Sequence, residues 1–120
     1  MYNLLMVFVG GGLGSLCRYG ISRMMFNVTP HFPSGTLVAN ILSCILLGYL
    51  FGVALKTPLA DPAKLLWMTG FCGGFSTFST FSLETFVLFE SGHTGYALLN
   101  IGGSLLICLG CIYLGIKIAG

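Results

Sequence analysis

Charged side chains are scarce in this 120-residue chain. Asp, Glu, Lys and Arg together make up 7% of it, against roughly 25% in soluble domains. Apolar residues reach 56%, above the usual 45–50% or so. That imbalance excludes an ordinary soluble domain and points to a membrane protein. A formal net charge of +2, carried by scattered residues, excludes a nucleic-acid footprint. No basic tract suited to a membrane surface or an acidic partner is present. Enzyme signatures are missing too: there is no G-x-S-x-G and no H-E-x-x-H. His31 and His93 fall in loops with no matched nucleophile. Cys17, Cys44, Cys72, Cys108 and Cys111 all lie in apolar runs and read as small buried hydrophobes. Cys108 and Cys111 have C-x-x-C spacing but no polar flanks, which disfavours a redox or metal role. The run GGGLGS lacks the Gly-Lys-Ser/Thr ending of a phosphate loop. The opening MYNLLMVFVGGG has no basic n-region, so its apolar run is expected to be a permanent span rather than a cleaved signal.

What is there is apolar length. Stretches of about 20 residues at 4–25, 34–55, 65–89 and 96–116 predict membrane-spanning helices. NVTPHFP and KTPLADPAK separate the first three, each with two prolines, which break helices. ESGHTG is turn-like. The expected fold is one all-α transmembrane domain over 1–120, with four helices. The third is long enough to be interrupted, and Gly73–Gly74 is the expected place, because glycine permits unusual backbone angles.

Such an arrangement puts Lys56, Lys64 and Lys117 on one side of the membrane and Arg18 and Arg23 toward the other. The bias is too small for the positive-inside rule to set an orientation. One weakly specified orientation and dual insertion with antiparallel pairing both fit. The spacings Gly10–Gly14, Gly48–Gly52 and Gly70–Gly74 favour close helix contact, whether by packing or by dimerisation.

Polar groups at membrane depth are costly and usually face a protein interior or a water path. Arg18 fits two roles equally: snorkelling to the headgroups, or drawing anions into a vestibule. Arg23, nearer the helix end, favours snorkelling. Glu84 is the one carboxylate deep in a span. It lies toward the same end as Arg18, so a structural ion pair is expected ahead of a proton-carrying role. Asn40 is roughly 9 Å of helix rise into the second span, with Thr36 one turn earlier. Asn100 and Ser104 stand one turn apart in the fourth. Each pair can hydrogen-bond another helix or line a path with neutral donors.

The most distinctive stretch is GFCGGFSTFSTFSLE, from Gly70 to Glu84. Phe75, Phe78 and Phe81 recur every third residue and predict a slanted aromatic ridge on one helix. Serines and threonines accompany them at Ser76, Thr77, Ser79, Thr80 and Ser82. Hydroxyls donate hydrogen bonds without a fixed charge, and aromatic rings have a positive edge. Together with an amide they suit a small anion better than a cation or a soft metal.

With GGGLGSLCRY, GTLVAN and NIGGSLL in the other spans, this motif resembles the Fluc (CrcB) family of fluoride channels over nearly the whole chain. The resemblance implies an antiparallel, dual-topology homodimer in a prokaryotic inner (plasma) membrane, exporting fluoride passively through two pores. It implies a third helix broken near Gly73–Ser76. It also implies a structural Na⁺ at the dimer interface, held by the backbone carbonyls of Gly73 and Ser76. Phe78 and Phe81 match the phenylalanines whose edges face the ion, and Asn40 matches the pore asparagine. Thr36, Thr77, Ser79, Thr80 and Ser104 fall at or near polar-track positions. Arg18 matches the vestibule arginine and Glu84 the buried acid. Ala39, Ser43, Phe75 and Ser76 depart from the family's usual valine, glycine, leucine and threonine. Two rivals remain: a small dual-topology proton-coupled drug exporter, with Glu84 as its carboxylate, and a membrane assembly factor that transports nothing.

Overall fold

The computed structural model describes residues 2–25, 32–58 and 60–120, and every regular element among them is a helix. Helices α1 (Tyr2–Met24), α2 (Ser34–Lys56) and, last in the chain, α6 (Thr94–Ala119) are each long and apolar enough to cross a membrane. At 1.5 Å per residue, helices of this length reach about 35 Å, against a hydrocarbon core of about 30 Å. Each carries a basic residue in its last turn, Arg23, Lys56 and Lys117, where the partial negative charge of the helix end favours a cation.

The fourth element lies between α2 and α6 and is interrupted. It comprises α3 (Asp61–Lys64), a π-helical segment (Leu65–Cys72), α4 (Gly73–Phe75) and α5 (Phe78–Glu90). It begins at Asp61 rather than at 65, because Pro62 sits in the first turn of α3, where its missing N–H is not needed. Its break is also not where glycine content predicts. Gly73 lies in the right-handed helical region, and the chain becomes extended only at Ser76 (φ −93°, ψ 155°) and Thr77 (φ −151°, ψ 128°). Residues 26–31 of the first loop, His31 with them, lie outside the described residues. The last loop is tight. Gly92 adopts φ 85°, and His93 N–H donates to the Leu88 carbonyl at 2.8 Å, closing the end of α5.

Two parallel pairs form the body: α1 on the π-helical segment and α4, and α2 on α6. Close backbone approach explains the spaced glycines. A Cβ on Gly10 or Gly14 would strike the carbonyl of Leu66 or Phe71, and one on Gly74 would strike that of Gly11. On the other pair, a Cβ on Gly48 would strike the Ile112 carbonyl, and one on Gly115 that of Ile45. All three G-x-x-x-G spacings are therefore used inside a single chain. The molecule measures 47 × 31 × 21 Å, about two helices thick in its thinnest direction. Helix α5 packs mainly on α6. Its remaining surface is apolar and bare, with Phe78 79% exposed and Leu83 65%.

Candidate functional site

The break in the interrupted element is held from outside. In a continuous helix the Thr77 amide would donate to the Gly73 carbonyl. Here it donates instead to Asn40 Oδ1 on α2, at 3.2 Å. Ser76 turns back, its N–H and Oγ reaching the Cys72 carbonyl at 3.1 and 2.9 Å. Ser43 Oγ on α2 reaches the same carbonyl at 3.1 Å. Arg18 Nε on α1 donates to the Gly74 carbonyl at 3.1 Å. Side chains from two neighbouring helices thus satisfy groups that interrupted backbone leaves open at membrane depth. The Gly73 and Ser76 carbonyls accept no hydrogen bond among the described residues. Gly73 also faces open space.

Thr77 then caps α5, its Oγ1 accepting from Thr80 N–H at 3.3 Å. The positive end of the α5 dipole consequently points at the break. Beside it lies an open groove of about 850 Å³, walled by α2, the break, α5 and α6. Five residues singled out from the sequence as path residues line it: Asn40, Thr77, Phe78, Phe81 and Ser104. The Phe78 and Phe81 rings stand 5.8 Å apart at 38°. Asn40 spends its oxygen on Thr77, and its Nδ2 makes no hydrogen bond among the described residues.

The other named residues are placed differently. Thr36 is buried one turn from Asn40 and interacts with the Glu84 side chain. Ser79 Oγ lies 3.3 Å from Thr77 Oγ1. Thr36, Ser79 and Thr80 are not in the groove wall. Arg18 and Glu84 form no ion pair: Arg18 holds the Gly74 carbonyl, and Glu84 Oε1 is buried without a hydrogen-bond partner. The expected three-ring ridge is also divided. Phe75, 7% exposed, stays on the near side of the break and stacks edge-on against Phe71, with centroids 5.5 Å apart. Only Phe78 and Phe81 continue on α5.

Sequence reasoning missed Thr85. Asn100, 1% exposed, accepts from Ser104 Oγ at 3.0 Å and donates through Nδ2 to Thr85 Oγ1 at 2.9 Å. Thr85 in turn donates to the Phe81 carbonyl at 2.8 Å. This chain joins α6 to α5 and commits the Ser104 proton to Asn100. Thr85 stands one turn beyond Phe81, so following the hydroxyl pattern past Thr80 would have found it. Ser82 joins it in the wall.

Fold and groove together define a small all-helical membrane protein with an open, largely apolar groove whose few polar lining residues carry neutral groups. The family model described as CrcB-like protein, Camphor Resistance (CrcB), matches residues 5–116, and the chain belongs to that family. Curated relatives carry the name fluoride-specific ion channel FluC. One from Proteus mirabilis (strain HI4320) is 48% identical over 102 residues, covering 82% of this chain and 81% of the relative. One from Serratia proteamaculans (strain 568) is 43% identical over 123 residues, covering 98% and 97%. An archaeal relative, from Pyrococcus horikoshii, is 43% identical over 115 residues, covering 95% and 93%.

Proposed function

We propose that this protein is a fluoride-selective channel that exports fluoride passively from the cytoplasm across the inner (plasma) membrane of a prokaryote. The relatives are named as fluoride-specific ion channels, not enzymes. The observation that carries the reading to these residues is the Asn40 amide. Its oxygen is tied to the broken helix and its donor end is left beside the Phe78–Phe81 pair on the groove wall. A strongly hydrated anion needs donors that replace its water, yet hold it loosely enough for release. An amide N–H, ring edges and hydroxyls meet that balance without a buried cation.

The functional unit in this reading is an antiparallel, dual-topology homodimer. Supporting it are the open groove, the bare surface of α5 and the weak charge bias between the two ends. The Gly73 and Ser76 carbonyls, free of hydrogen bonds among the described residues, have the chemistry of a Na⁺ site, since hard cations favour oxygen ligands. A bound Na⁺ would supply positive charge that ties two subunits together. The drug-exporter reading has no support from the relatives' names. The test is fluoride efflux from proteoliposomes, followed by a fluoride electrode beside chloride-loaded controls. Fast fluoride loss without chloride loss is expected. No fluoride loss from folded, sodium-loaded protein would overturn the reading.

A further inference from the structure

Cys44 and Cys108 stand out among groups that the proposed path does not use. They come from different helices, and both lie in the groove wall. Their meeting follows from the packing. Helices α2 and α6 run parallel, and their backbones touch where Gly48 faces Ile112 and Gly115 faces Ile45. One turn back from Gly48 is Cys44, and one turn back from Ile112 is Cys108. The close approach forced by the glycines therefore brings the two thiols face to face. The two side chains fall within interaction range of each other.

We propose that Cys44 and Cys108 form a two-thiolate site for a soft divalent cation of the Hg(II) class. Thiolates select soft metals. Zn²⁺ is a poor fit because it takes four ligands, and no cluster of three or more His, Cys, Asp or Glu occurs among the described residues. Charge decides between the soft ions. Two thiols lose their protons to groove water, and two sulfur–metal bonds replace two S–H bonds, with nothing oxidised. With a divalent ion the product is neutral. With Ag(I) or Cu(I) it would keep one negative charge in an apolar wall, which is costly. An occupied site narrows the groove whose wall also holds Phe81. Its effect on flux, though not the binding itself, rests on the groove being the anion path.

The test uses the full chain with Cys17→Ser and Cys111→Ala, leaving the pair and the buried Cys72. Titration with HgCl₂ is followed by sulfur-to-mercury charge-transfer absorption. Saturation at one Hg(II) per chain is expected. Adding Cys44→Ser or Cys108→Ser, both close in size to the native residue, is expected to weaken binding about a hundredfold, because one of two linked contacts is lost. Equal affinity in either Ser variant, or independent uptake by separate thiols, would overturn the site. In proteoliposomes HgCl₂ is expected to slow fluoride efflux of the parent relative to its own untreated rate, with recovery in dithiothreitol. The Ser variants are expected to resist. Stoichiometric binding with unchanged efflux would overturn the block while leaving the thiol site standing. Absence of efflux before mercury is added would count against the channel reading alone.

Discussion

Asn40 and Thr77, on two different elements, share one hydrogen bond: the Thr77 amide donates to Asn40 Oδ1 at 3.2 Å. That bond gives the side chain two tasks, since it holds the break with its oxygen and presents its Nδ2 to the groove. Two substitutions separate them. Asn40→Ala removes both, leaving a backbone N–H unpaired at membrane depth, a loss of about 1–3 kcal/mol. Asn40→Asp keeps an oxygen for Thr77 and replaces the donor with an acceptor. Thermal unfolding in detergent should therefore show both variants destabilised, Asn40→Ala by its unpaired amide and Asn40→Asp by a carboxylate placed in a largely apolar wall. Fluoride efflux should collapse in both. An Asp variant with normal efflux at a pH where its carboxylate is ionised would refute the donor role.

The glycines divide into two groups with opposite expected responses. Gly10→Ala, Gly14→Ala and Gly48→Ala would each drive a methyl group into a backbone carbonyl of the facing helix. Overpacking of this kind costs about 1–3 kcal/mol. At Gly12 and Gly102 an added methyl group would meet no neighbouring element within 4 Å. Alanine there should be neutral or gain up to about 1 kcal/mol in helix propensity. Unfolding temperatures of the five variants check this. A Gly48→Ala protein as stable as Gly102→Ala would contradict the α2–α6 contact.

How far the sequence could be read depended on whether a feature is local. Apolar length and proline spacing marked the four helical stretches, because burial in lipid depends on composition along one segment. The interruption was foreseeable, but its position was not. Glycine freedom suggested Gly73–Gly74, whereas a cross-helix bond from Asn40 and the hydroxyls of Ser43 and Ser76 set the break at Ser76–Thr77. Arg18 gave a similar surprise. Its partner is a backbone carbonyl, that of Gly74, and a search for opposite charges cannot find such a partner. In the site, Asn40, Phe78 and Phe81 were legible because they are costly or distinctive at depth. Thr85 was passed over, although the hydroxyl pattern reaches it, since one hydroxyl in a helix is usually satisfied by its own preceding turn.

Thr85 and Asn100 should behave as a coupled pair. Thr85→Val leaves the Asn100 amide without its acceptor, and Asn100→Leu strands the Ser104 hydroxyl. Replacing both removes the polar groups together. A double-mutant cycle on unfolding free energy should therefore give a coupling of about 0.6 kcal/mol and no more than about 1.7, the mean and the upper end for hydrogen bonds between membrane helices. Strictly additive effects would mean that the bond contributes nothing.

Phe78 and Phe81 differ in exposure, yet they belong to one pair on the same helix face. If ring edges stabilise the ion along its path, Phe78→Leu and Phe81→Leu each lose that stabilisation, taken on the scale of an edge-on aromatic contact, about 0.5–1.5 kcal/mol. Efflux should fall up to about tenfold. Size-exclusion profiles should not change, because leucine keeps an apolar side chain at each position. Unchanged flux in both variants would rule out the aromatic path.

A sodium site made from backbone carbonyls cannot be deleted by a side-chain substitution, so the ion itself has to be withdrawn. Gly73 and Ser76 lend the proposed site their carbonyls, and Ser76 Oγ is already committed to Cys72. Ser76→Thr should therefore leave sodium dependence unaltered, since threonine keeps the hydroxyl. Replacing Na⁺ with the bulky cation N-methylglucamine should lower both the dimer fraction in detergent and the efflux rate, and both should recover when Na⁺ is returned. An unchanged dimer fraction and rate without Na⁺ would remove the sodium proposal and leave the two free carbonyls as solvated groups at the break. If Ser76→Ala altered the sodium dependence while Ser76→Thr did not, the hydroxyl rather than the carbonyl would be the ligand.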